Sequence, residues 1–155
     1  CSPVTFNPHE EWMMQQARNA AMWMEDEGIA MGFLIHDRDT KYSLRFRRFF
    51  RALVKPRKGS VIRTNITSLT MNAYGESFVV TMRRECLGNF VCVWLDQLDY
   101  LITTYVWYYL TERPQQGKDI GNTVLDPGFT PTGEGEVKCQ SSLGGMLRHY
   151  YREAA

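Results

Sequence analysis

Trp12, Met13, Ala20, Trp23 and Met24, with Gln16 in the same phase, follow three- and four-residue spacing and predict an amphipathic helix. Asn7-Pro8-His9-Glu10 reads as its start, with Asn7 as cap, Pro8 at the first helical position and Glu10 completing a capping box. Glu25-Asp26-Glu27 forms an acidic last turn that opposes the helix dipole and is expected to be solvated. Gly28 follows as a left-handed terminator. The apolar run Ala30 to His36 has the length of a strand and delivers Asp37 at its exit. Leu44, Phe46, Phe49, Phe50 and Leu53 return to helical spacing, and the opposite face carries Arg45, Arg47, Arg48 and Arg51. Lys55-Pro56-Arg57-Lys58-Gly59 reads as a turn, Val61 to Thr64 as a second short strand, and Asn72 to Cys86 as a third helix. Asn89 to Trp94 reads as an extended connection. Asp96 to Leu110 reads as a long aromatic helix stopped by Glu112-Arg113-Pro114. From Gly117 to Gly145 the chain is rich in Gly, Pro, Thr and Ser and is expected to be irregular, with one helical turn in Leu147 to Ala155.

Helices alternating with strands put the chain in the α/β class. Two strands are few for a sheet of that class, so further strands are expected upstream of Cys1. The order of elements reads as the second half of a fold. Residues 1–117 form one partial domain in this reading, and residues 118–155 form a C-terminal tail. Helices left without partner strands would present Trp12, Trp23, Phe49 and Phe50 to water or to another copy, so self-association is expected.

Charge changes the picture more than composition does. A net charge of +1 conceals a division. Residues 1–39 carry seven acids and two bases, residues 40–75 no acid and nine bases, and residues 76–155 ten acids and seven bases. A block so basic can hold a polyanion. Its bland reading is a solvated helix face followed by a basic loop. The cysteines, at 1, 86, 92 and 139, show no C-x-x-C spacing and no neighbouring His, which argues against zinc. No apolar run approaches the roughly 18 residues of a membrane span, and no signal peptide is visible. Reduced thiols and a cytoplasmic location are expected.

Asp37 and Glu76 bracket the basic block, an arrangement suited to holding a divalent cation against a phosphodiester. The bland alternatives make Asp37 a turn-forming residue and Glu76 a first-turn acid favoured by the helix dipole. Asn72, Glu76, Val80 and Arg83 share helical spacing, so Asn72 and Arg83 would flank Glu76.

Several pieces occur in a telling order: Ile35-His36-Asp37-Arg38-Asp39-Thr40-Lys41-Tyr42, Val61-Ile62-Arg63-Thr64, Asn72-Ala73-Tyr74-Gly75-Glu76-Ser77-Phe78-Val79, and Arg83-Arg84-Glu85-Cys86-Leu87. Tyr108-Tyr109 with Glu112-Arg113-Pro114-Gln115-Gln116-Gly117 closes the series. Together they resemble the integrase catalytic core of insertion-sequence transposases, the D-D-E family with a ribonuclease-H-like fold. The resemblance implies DNA integration and transposition in a bacterial, nucleoid-associated setting. Its chemistry would be phosphodiester cleavage and strand transfer with Mg²⁺ or Mn²⁺. It makes Asp37 the second acid and Glu76 the third, both catalytic and metal-binding, with Asp39 ranked below Asp37. Lys41, Arg63, Asn72, Arg83 and Arg84 would contact DNA, either transposon ends or target.

Two departures stand out. Gln115 occupies a position where relatives tend to carry His. The family's first Asp, on an upstream strand, has no counterpart, because Glu10, Glu11, Glu25, Asp26 and Glu27 all fall on one predicted helix or its end. The chain is therefore expected to be a piece truncated at the N-terminus with impaired activity. The alternative is a non-catalytic remnant that binds DNA or associates with a full-length transposase. An unrelated small α/β enzyme is a third reading, although no Gly-rich phosphate loop or Ser-His-Asp pattern supports it.

Overall fold

A computed structural model describes residues 3–53, 60–64, 73–116, 121–127 and 133–152. The chain is mixed α/β and divides into two compact units, one built on Val4–Phe78 and the other on Val79–Ala155. The division falls inside a helix.

The first unit opens with α1 (Glu10–Asp26). The expected capping box is not made: His9 is the cap residue, in an extended conformation and without a side-chain cap bond. The Asn7 carbonyl instead accepts the His9 backbone N–H at 2.8 Å and lies 2.9 Å from His9 Nδ1, so Asn7 is spent on the turn before the helix. The first-turn acids are engaged at the start of the next helix, α2 (Leu44–Leu53), and by the residue just before it. Ser43 Oγ donates to Glu10 at 2.7 Å, and Arg45 pairs with Glu11. The far end of α1 terminates as expected. Gly28 sits at φ +64, its N–H reaches the Glu25 carbonyl, and the Ile29 N–H reaches the Met24 carbonyl at 2.7 Å. That is the paired-bond helix stop for which a residue without Cβ is favoured.

Between and after these helices run β1 (Phe33–His36) and β2 (Ser60–Arg63). They pair in parallel, Phe33 opposite Ser60 and His36 opposite Arg63, and the Thr64 N–H donates to the His36 carbonyl at 2.9 Å. Alternation along β1 turns Leu34 and His36 inward and leaves Phe33 and Ile35 exposed. The core is Met13, Met14 and Ala17 of α1 against Phe46 and Phe50 of α2, with Trp12, Phe49, Leu34 and Val61 packed around it. The expected exposure of Phe50 is thus overturned, and Trp12 and Phe49 are half-buried, because α1 and α2 cover one another. Trp23 is exposed as expected.

The helix α3 (Ala73–Glu85) crosses the division and buries no residue. In the second unit a short helical turn (Leu87–Asn89) precedes α4 (Leu95–Thr111). Gln97 braces the entry to α4 by accepting from the Val93 N–H at 3.0 Å and donating to the Val91 carbonyl at 3.2 Å. Among the described residues, Cys86, Leu101, Tyr105 and Leu147 are this unit's buried side chains of apolar character.

The C-terminal region corrects the reading of an irregular tail with a final helical turn. The strands β3 (Val137–Ser142) and β4 (Leu147–Arg152) form an antiparallel hairpin with Val137 opposite Arg152 and Ser142 opposite Leu147. Leu143, Gly144 and Gly145 take φ of 52, 69 and 89, a left-handed run that reverses the chain where a helix cannot continue. Leu147, half-buried His149 and Tyr151 then alternate with exposed Arg148, Tyr150 and Arg152.

Candidate nucleic-acid interface

Because β1 and β2 run parallel, their carboxyl ends lie at one edge, the position at which open α/β sheets commonly bind ligands. Asp37 leaves β1 there, exposed, and its Oδ1 accepts the Asp39 N–H at 2.9 Å. Asp39 repeats the motif, its Oδ1 accepting the Lys41 N–H at 3.0 Å and its Oδ2 lying 3.0 Å from Lys41 Nζ. These successive side-chain turns are what short acids do after a strand. The Lys41 N–H and ammonium hold the Asp39 carboxyl below its ordinary value, and the bond to Asp39 raises Lys41. Arg38 Nε donates to the Thr64 carbonyl at 3.0 Å, and Arg63 lies 3.5 Å from the Arg38 carbonyl. One edge therefore gathers Asp37, Arg38, Asp39, Lys41 and Arg63.

His36 supports this edge from beneath and is the residue the sequence reading passed over. It is buried, with Nδ1 2.6 Å from the Asp37 carbonyl and its ring 5.1 Å from that of Tyr42. Nδ1 donating to that carbonyl fixes the Asp37 backbone. Period-two alternation along Phe33–His36 was the available signal, since it puts His36 on the face of Leu34.

Glu76 is exposed in the first turn of α3. Arg83 and Arg84 are exposed in the last turns of the same helix, within the other unit, and Asn72 lies outside the described residues. Among the described residues, no group of three or more His, Cys, Asp or Glu could hold a metal ion. Asp37 and Glu76 thus do not by themselves make the donor set that Mg²⁺ or Mn²⁺ prefers, and Asp39 is committed to Lys41.

The second unit contains a denser polar cluster of another kind. Arg113 grips Glu85 with two nitrogens at 2.8 and 2.6 Å, and Tyr105 O–H donates to the same carboxylate at 2.8 Å. Arg113 also donates to Gln115 Oε1 at 3.0 Å, and Gln115 returns a bond to the Tyr109 carbonyl at 3.1 Å. Burial alone would raise Glu85, but the bonds from Arg113 and Tyr105 outweigh it and leave the carboxyl below its ordinary value. Tyr105 is driven far up by burial and by its bond to Glu85. Glu112, buried, is raised by burial and only partly relieved by His149. Gln115, the departure noted in the sequence, is thus a structural member of this cluster.

No helix among the described residues is long and apolar enough to cross a membrane. No protein-family model, curated protein or solved structure matches the chain.

Proposed function

We propose that this chain belongs to the DNA-integrating, transposase-like class, as part of a ribonuclease-H-like integrase core. Asp37 and Glu76 are the carboxylates meant for Mg²⁺ or Mn²⁺, and DNA is the partner. The observation that carries this is the parallel pairing of β1 and β2, which supports the motif order by gathering Asp37, Lys41 and Arg63 at one strand-end edge. Bound there, a divalent ion would polarise a phosphodiester and activate an attacking oxygen. A third donor is needed to complete such a site. The chain's own groups account for the remainder. Lys41, Arg38 and Arg63 attract the phosphate backbone, and His36 holds the Asp37 backbone in place.

Cleavage and joining of labelled transposon-end DNA in Mg²⁺ or Mn²⁺ tests the reading. Asp37→Asn or Glu76→Gln is expected to abolish any such activity. Undiminished joining in either variant overturns it.

A second reading, DNA binding without cleavage or association with a full-length transposase, is favoured by a separate observation. Arg48 and Arg51 are exposed on α2, with no acidic partner among the described residues. Salt-sensitive binding without sequence preference is then expected, because phosphate contacts release counterions. Absence of binding at low salt would remove this second reading.

A further inference from the structure

The C-terminal hairpin carries a surface that the strand-end edge does not explain. On β4, Arg148, Tyr150 and Arg152 are exposed on one face, with Tyr150 61% accessible. The other face turns toward its own unit, with Leu147 buried, the His149 and Tyr151 rings stacked 5.7 Å apart, and Tyr108 Oη 3.5 Å from the Arg148 carbonyl. Register sets Val137, Cys139 and Ser141 opposite Arg152, Tyr150 and Arg148. These cross-strand neighbours are small, so no bulky β3 side chain stands opposite the Tyr150 ring. Alternate strand residues are about 7 Å apart, which puts the Cα atoms of Arg148 and Arg152 about 14 Å from each other with Tyr150 midway along the strand.

Both arginines are anchored. Arg148 Nε donates to the Gly145 carbonyl at 3.0 Å, and Arg152 Nη1 donates to the Gly135 carbonyl at 2.8 Å. Each spends one nitrogen on the backbone and keeps most of its five donors for an anion. Among the described residues, Glu134 and Glu136 sit just before β3 at the Arg152 end and weaken anion attraction there.

We propose that this face binds single-stranded nucleic acid, with a base stacked on Tyr150 and flanking phosphates on Arg148 and Arg152. An exposed aromatic ring between cations is the recurring means of holding unpaired bases, whereas duplex DNA keeps its bases in their own stack. The inference does not rest on the integrase reading and would stand if Asp37 and Glu76 had no catalytic role.

The test is fluorescence anisotropy of a labelled oligothymidylate of about fifteen nucleotides, long enough to span a typical site. It uses the full chain carrying Arg48→Ala and Arg51→Ala, so that these two exposed arginines of α2 no longer contribute. Binding is expected to persist in that background and to be tighter than to duplex of the same length. Tyr150→Phe should retain affinity within about twofold, while Tyr150→Leu, apolar but unable to stack, should weaken it by about tenfold. Loss of two phosphate contacts predicts that the slope of log affinity against log salt becomes shallower by about 1.4 in Arg148→Ala/Arg152→Ala. Alkylation of exposed Cys139 should slow when the oligonucleotide is bound. Equal affinity of the Leu and Phe variants, a preference for duplex, or loss of all binding in the α2 background overturns the proposal.

Discussion

Glu85 and Glu112 lie in the same unit and titrate in opposite senses, which makes them separable. Glu85 is held below its ordinary value of 4.5, so its contribution is present above that value and is lost as pH falls through the lowered folded one. Glu85→Gln is expected to cost about 1–2 kcal/mol in urea unfolding at neutral pH, the pair being partly exposed. The gap between variant and wild type should close as the medium is acidified. Glu112 is raised above 4.5, so its favourable protonated form is lost as pH climbs through the elevated folded value. Glu112→Gln should remove that loss and make the chain more heat-resistant than wild type at neutral pH, read as melting temperature against pH. Residue identity made Asp37 legible as the acid after a strand. Its hydrogen bond to the Asp39 N–H was legible as the bland turn reading. The Glu85–Arg113 grip was not, since its partners lie 28 positions apart and nothing local links them.

Elements with strong periodicity were readable, and those defined by partners were not. The limits of α2 follow directly from Leu44, Phe46, Phe50 and Leu53, and Gly28 announced the end of α1. Its start was misplaced because the side chains of Glu10 and Glu11 were claimed by Ser43 and Arg45, more than thirty residues away. The β3–β4 hairpin escaped because β3 is polar, and Cys139, Gln140 and Ser141 are all exposed. The one local clue was Gly144-Gly145, whose left-handed backbone is the hinge of the turn. Gly144→Ala, although nothing lies within 4 Å of the added carbon, is expected to destabilise the hairpin by about 1–2 kcal/mol through strain alone. Faster amide exchange confined to Val137–Arg152 would record it.

At the scale of the whole molecule, the α/β class was legible from alternating elements, whereas the division inside α3 was not, because no break in composition marks it. Exposed apolar side chains are distributed over both units: Trp23, Phe33 and Ile35 in one, and Val91, Val93, Trp94 and Trp107 in the other. Such surface favours association between copies. Light scattering during gel filtration should give an average mass above the 18.0 kDa of the single chain at micromolar concentration. Trp23→Gln with Phe33→Thr should lower that mass. A strictly monomeric wild-type chain would contradict the expectation.

The two strand pairings also differ in how far along the chain they reach. Phe33 meets Ser60 across a helix, whereas Ser142 meets Leu147 across a single turn. Short-range pairing closes in about 1–10 μs, while the parallel pair must first enclose the whole of α2. Refolding should therefore be biphasic. Tyrosine signals from the hairpin should recover in an early phase, and burial of Phe46 and Phe50 in a later one.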